Sequence, residues 1–277
     1  AEDQIGLKTK LVVVPDGILW HLPFEALQAS EDHYVVDHAQ VSYAPSLSSL
    51  REMRKQRLPA RRLNSLLVAY GNPELSKNFK TRFEFAYAGV KLESTAEQEE
   101  EIKRVATSYG PTSSRLYTGP EASEERIKSD TSRARIIHFS NPAILDDTSP
   151  MSSFIGLSSE TNQQDGFLQI REIMDLQSTA ELVVASTAQP STSLNGNAAV
   201  GFSWAWFVAG SPATLVSRWK VESPTLLTGF YSSMKQTGRT RVSKARALHQ
   251  SLLAVRRSAH HQHPYYWASF AMIGDTR

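Results

Sequence analysis

The sequence predicts an α/β fold in which a central, mostly parallel sheet of about six strands is flanked on both faces by helices. Three observations predict it. Short apolar runs that fit buried strands recur along the chain, and segments of helical spacing separate them. The 277 residues, 40% hydrophobic and 21% charged, are enough for one large domain with a substantial core. The 14 glycines and 13 prolines are too few for a disordered chain.

The elements follow in order. Leu11–Val14 is a β-branched run closed by Pro15-Asp16-Gly17, in which Pro presets one turn dihedral and Gly accepts a positive φ. Residues 33–41 form the next strand candidate, and Ser46–Arg54 has helical spacing with a serine start. Ser65–Tyr70 reads as a buried strand ending in Gly71-Asn72-Pro73, and the span Gly71–Ser94 reads as a loop-rich insertion. Thr95 is a candidate N-cap for a helix over Thr95–Val105, with Glu97, Glu99, Glu100 and Glu101 gathered where the helix dipole favours anions. Ser114–Tyr117 is a short strand, Ser123–Ser129 a short helix and Ala134–Phe139 a strong strand. Strands at Gly166–Gln169, Glu181–Ser186 and Ala213–Ser217 follow, with an apolar helix at Ala198–Ala209 before the last of them. Helices at Pro224–Lys235 and Val242–Arg256 precede a closing strand over Tyr265–Ile273. Trp219, Trp267 and Phe270 are expected in the core.

Composition removes several functions. With no cysteine there is no disulfide, no thiolate metal site and no thiol catalysis. A net charge of +2 demands no nucleic acid, although Arg51–Arg62 is locally basic and reads as a solvated face. The first residues show no signal pattern, and no apolar run approaches the roughly 18 residues that span a bilayer. The strand near Thr9 has no leader before it, which suggests the C-terminal part of a longer chain.

The polar clusters have plain structural explanations. The glutamates after Thr95 follow helix-start logic rather than metal-ligand spacing. His260, His261 and His263 lie in a loop without a carboxylate nearby to complete a metal shell, and Asp146-Asp147 is a further loop. Ser193–Gly201 lacks the lysine of a phosphate loop. No metal or cofactor is expected.

The chain resembles the CHAT domain, a caspase-like peptidase module found C-terminal to tetratricopeptide repeats. The resemblance spans almost the whole length, through LVVVPDGILWHLPFEAL at Leu11–Leu27, VSYAPSLSSL at Val41–Leu50, LLVAYGNP at Leu66–Pro73 and DGFLQIREIMDL at Asp165–Leu176. It continues through GFSWAWFVAGSPATLVSRWKV at Gly201–Val221, GFYSSMK at Gly229–Lys235 and HPYYWASFAMIGD at His263–Asp275. It implies a caspase-like fold for residues 1–277 as one domain, a bacterial and cytoplasmic setting, and tetratricopeptide repeats upstream. In the family, one strand ends at the catalytic His and another at the nucleophilic Cys. The matching segments here are RIIHFSNP at Arg135–Pro142 and ELVVASTAQP at Glu181–Pro190, and the matching positions are Pro142 and Ala188. His138 matches the first, non-catalytic histidine of its motif, while Ser186 and Gln189 flank the nucleophile position.

A pyrrolidine and a methyl group can neither attack a carbonyl nor exchange a proton. The expectation is therefore a catalytically inactive pseudoprotease that binds a protein or peptide, or regulates an active relative, with His138, Asn141, Ser186, Gln189 and Trp219 as candidate groove residues. Repeats of the same chain are a candidate partner; nucleic acid and membrane are not. The alternatives are a cysteine endopeptidase disabled by substitution at 142 and 188, a serine-based variant using Ser186, Thr187, Ser191, Thr192 or Ser193, and a purely structural domain. A serine would need a base within hydrogen-bond reach, and His138 lies four residues upstream of the catalytic position.

Overall fold

The computed structural model describes residues 9–30, 33–55, 66–159, 164–186, 188–190, 197–219, 224–235 and 242–277. The strands, in chain order, are β1 (Thr9–Val13), β2 (Gln28–Ser30), β3 (His33–Tyr34), β4 (Ala39–Tyr43), β5 (Leu67–Pro73), β6 (Ser114–Gly119) and β7 (Ile136–Ser140). They continue as β8 (Ala143–Leu145), β9 (Phe154–Gly156), β10 (Phe167–Gln169), β11 (Leu182–Ala185), β12 (Ala188–Pro190), β13 (Ala213–Ser217) and β14 (Phe270–Gly274). The helices are α1 (Val35–His38), α2 (Leu47–Lys55), α3 (Lys77–Ala86), α4 (Ala96–Tyr109), α5 (Glu124–Asp130) and α6 (Ile170–Met174). After them come α7 (Asn197–Ala209), α8 (Pro224–Met234), α9 (Lys244–Arg256) and α10 (Pro264–Trp267).

Eight strands form the central sheet in the order β1-β4-β14-β13-β11-β7-β5-β6. Five of them, from β13 to β6, run parallel to one another, and β14, β4 and β1 form a second parallel block. The blocks meet at the antiparallel pair β13 and β14. This is the predicted mostly parallel sheet, with eight strands where about six were expected.

Period-two alternation divides the buried side chains between the faces. Ile137, Phe139, Val183 and Ala185 pack with Ile127 of α5, Ile173 of α6 and Phe202 and Trp206 of α7. Ile136, Leu182, Val184 and Leu215 face the other way, against Val105 of α4, Phe230 of α8 and Leu248 of α9. Both faces are covered, which is why the central strands read as continuous apolar runs.

Several expectations are corrected. The supposed loop-rich span Gly71–Ser94 contains the ten-residue α3, whose Phe79 and Phe83 stand four residues apart and bury against Phe154 and Phe167. Ser76 caps it by accepting from Phe79 N–H at 3.1 Å. The strand candidate over residues 33–41 is broken by the turn of helix α1, because Asp37 accepts from Tyr34 N–H at 2.9 Å and closes that turn. The closing strand begins only at Phe270, after α10. Trp267 and Phe270 are core residues, but Trp219 is half-buried; its Nε1 donates to Tyr265 O at 2.9 Å and its ring stacks on Tyr265. Of the basic segment 51–62, the part from residue 56 onward lies outside the described residues.

Candidate functional site at the strand ends

Open parallel sheets bind ligands beyond the C-terminal ends of their strands, so the ends of β7 and β11 are the place to look. The two strands are neighbours, with His138 opposite Val184 and Phe139 opposite Ala185. Both then leave the central sheet and continue side by side in a second, four-stranded sheet of order β10-β9-β8-β12, where Ala188 pairs with Ala143. Residues 140, 141 and 142 separate the two registers on one chain segment, and only 186 and 187 on the other. The β7 side therefore carries one additional residue at the switch between sheets. A proline suits that place, because at a register change its missing N–H costs no ladder bond. Pro142 is buried, its carbonyl accepts from Gly156 N–H at 2.7 Å, and Asn141 donates to Gly156 O at 3.0 Å. Positions 142 and 188, far apart in sequence, are thus brought to one corner of the fold.

One layer below this corner sits a polar cluster that the register explains. His138 and Ser186 are even-numbered like Ile136, Leu182 and Val184, so both face α4 and α8 rather than α7. His138 Nδ1 lies 2.8 Å from Tyr231 Oη on α8, and its Nε2 lies 3.0 Å from Glu101 Oε1 on α4. Ser186 Oγ donates to the same Glu101 oxygen and lies 3.2 Å from Phe139 O. Burial pushes the Glu101 carboxyl up, but the hydrogen bond and charge of His138, with the hydroxyls of Ser186 and Ser140, outweigh it and hold the group below the usual carboxylate range. Burial, with the Glu101 charge behind it, pushes the Tyr231 phenol up, so this hydroxyl stays protonated. Gly71 makes room for the arrangement, since a Cβ there would stand 2.8 Å from Gln98 O of α4.

Comparison with known proteins places this architecture. The CHAT domain model matches residues 1–275. The chain belongs to the CHAT domain family. No curated protein matches it. Among solved structures it is similar to the Arg-specific cysteine proteinase gingipain R, at TM-score 0.55 and 12% identity, covering 97% of this chain and 63% of that one. It is also similar to the Saccharomyces cerevisiae separase–securin complex, at TM-score 0.49 and 14% identity over 92% of this chain. The chain spans only 15% of that separase-complex chain and 63% of the gingipain chain. The predicted caspase-like α/β class is the fold of this CHAT domain.

The CHAT domain does not display its sequence-predicted groove residues as an open lining. His138 has 0% exposure and Ser186 8%, because strand alternation turns them into the layer under α4, while Asn141, at 1%, is held at the sheet switch by its bond to Gly156 O. Gln189 lies in β12 with its side chain outside the described residues, as are residues 187 and 191–193 of the serine reading. His138 and Ser186 meet on Glu101 rather than on each other, so the imidazole has both nitrogens occupied. Glu101 was missed in the sequence because helix-start logic accounted for every glutamate after Thr95. The structure separates them: Glu99 accepts from Asn72 at 3.2 Å and pairs with Lys103, while Glu101 turns to the sheet. Asp147 is 5% exposed and accepts from Ala198 N–H at the start of α7 at 2.8 Å, whereas Asp146 caps its own loop through Thr148 and Ser149. His263 accepts from Tyr265 N–H, and His261 pairs with Ser258 and packs edge-on against Tyr266.

Proposed function

We propose that this CHAT domain is a pseudoprotease module that holds an extended peptide or a protein partner at the C-terminal ends of its sheet without cutting it. The observation that carries the reading is the pair of residues at the sheet switch. Pro142 and Ala188 sit where the two strands turn out of the central sheet together, and neither side chain can act as base or nucleophile. The full sequence offers no thiol elsewhere. A peptidase groove holds backbone by strand addition, and that function survives loss of the reactive atoms. Tetratricopeptide repeats of the same chain are one source of such a partner, in keeping with the family resemblance.

The test is peptidase activity of the chain and of a Pro142→His plus Ala188→Cys revertant against a broad peptide mixture, read by mass spectrometry. Silence from the parent with cleavage by the revertant supports the reading. Cleavage by the parent overturns it.

A further inference from the structure

Charge is unevenly spread along the chain. Between Glu222 and Asp275 lie 52 consecutive residues with no aspartate or glutamate, yet they hold seven of the 30 lysines and arginines. The rest of the chain carries 28 acids against 23 of these cations. The acid-free stretch supplies α8 and α9, which pack on the same side of the sheet as α4. They lie so close that a Cβ at Gly229 would stand 3.0 Å from Ser251 Oγ. Two of the cations are satisfied within the fold: Lys244 donates to Arg277 O at 2.8 Å, and Arg256 pairs with Asp37 at 2.7 Å and lies over the Tyr34 ring. Lys235, Arg246 and Arg257 are exposed and have no ion pair among the described residues. On neighbouring α4, by contrast, Lys103 is matched by Glu99 and Glu100.

Helix α9 sets two of these cations in line. Ala247, Leu248, Ser251, Leu252 and Val255 are buried on its inner side. Arg246, Gln250, Leu253 and Arg257, at i, i+4, i+7 and i+11, therefore form one row on the opposite side. At about 1.5 Å per residue the two arginines stand about 16 Å apart along the helix. Half-buried Leu253 lies between them, with exposed Ala254 beside it. We propose that this row docks an acidic helix of a protein partner. An apolar residue of that helix rests on Leu253 and Ala254, and carboxylates about eleven positions apart meet Arg246 and Arg257. The surface covers a face of the sheet and not its strand ends, so it is independent of the peptide-holding site. Three free cations are too few for a nucleic acid, which engages about six to ten. Phe230 and Tyr231 of α8 are buried, which leaves no ring on that helix for a base to stack on. A lipid surface would call for large exposed apolar side chains, where α9 has Gln250 and Ala254.

The probe is a synthetic alanine-based helix with two glutamates about eleven positions apart and a leucine between them, beside a twin with glutamines. Each is titrated against the chain at low salt by fluorescence anisotropy. The glutamate helix is expected to bind about tenfold more tightly than its twin. Arg246→Glu or Arg257→Glu is expected to weaken it about fivefold, and the two together about twentyfold. Arg115→Glu, at an exposed arginine on β6, serves as the control for net charge and is expected to change nothing. Both α9 arginines are exposed, so thermal midpoints should hold. If a reversal lowers the midpoint, Arg246→Gln with Arg257→Gln is read in its place. No binding, equal binding of the twins, or an equal loss in Arg115→Glu overturns the proposal. Tighter binding of a DNA duplex or of phosphatidylserine vesicles, with the same sensitivity to the α9 variants, would give the surface to another anion and overturn the protein partner.

Discussion

Glu101 Oε1 lies 3.0 Å from His138 Nε2, joining α4 to β7 across 37 positions of sequence. The same oxygen receives the Ser186 hydroxyl at the end of β11, so one carboxylate ties a helix to both strands that lead into the sheet switch. On the outer side of α4 Lys103 pairs with Glu99 and Glu100, and Glu99 also accepts from Asn72, whereas Glu101 bonds inward beside the apolar contacts of Ile102 and Val105.

The linkage has a definite sign. The folded-state pKa of Glu101 is lowered, so its contribution is fully present above the unfolded value of about 4.3 and is lost as pH falls through the lower folded value. Urea unfolding of the wild type and of Glu101→Gln, from about pH 3 to about pH 7, is expected to show a stability gap that is constant at neutral pH and closes at the acid end. A gap that widens on acidification would remove Glu101 from this role.

Tyr231→Phe leaves the ring in place and strips the partner from His138 Nδ1 in a site with no exposure. The expected loss is about 1–3 kcal/mol in denaturant melts, the cost of an unsatisfied buried polar atom. A neutral result would show that Tyr231 contributes packing alone.

The tryptophans divide by burial. Trp206 is fully buried between Phe139 and Phe202, and Trp206→Ala is expected to cost about 3–5 kcal/mol. Trp219→Ala is expected to cost clearly less, because its ring is half-buried and stacks on an exposed tyrosine. Equal shifts in unfolding midpoint for the two variants would contradict this ordering.

Arg135, just before β7, donates through Nε to Glu181, just before β11, at 2.8 Å, with side-chain exposures of 8% and 2%. Glu181→Ala strands a buried cation, and the expected cost is about 3–5 kcal/mol. Replacing both residues by Met is expected to recover most of that loss, and a double mutant no better than the single would show that the pair does more than neutralise itself.

Much of the fold was legible because burial on both faces writes each central strand as an apolar run, as at Ile136–Ser140 and Leu182–Ala185. Helix α4 was legible from its start, where Gln98 Oε1 accepts from Thr95 N–H at 3.2 Å. Helix α3 was overlooked although the Ser76 cap and the spacing of Phe79 and Phe83 signal it, because the neighbouring Gly71-Asn72-Pro73 reads as loop. In structure that tripeptide stays in β5, with Asn72 in the left-handed region at φ 49°.

The sequence by itself determined that this CHAT domain has no thiol, that a proline and an alanine stand at the two strand ends, and that strands and helices alternate. Those are properties of composition and local order. Only the tertiary structure decided that Glu101 reaches His138 and Ser186, and that the histidine and the serine are buried there. Such meetings depend on strand register and on which face each residue occupies, and a one-residue slip would turn every one of them to the opposite side of the sheet.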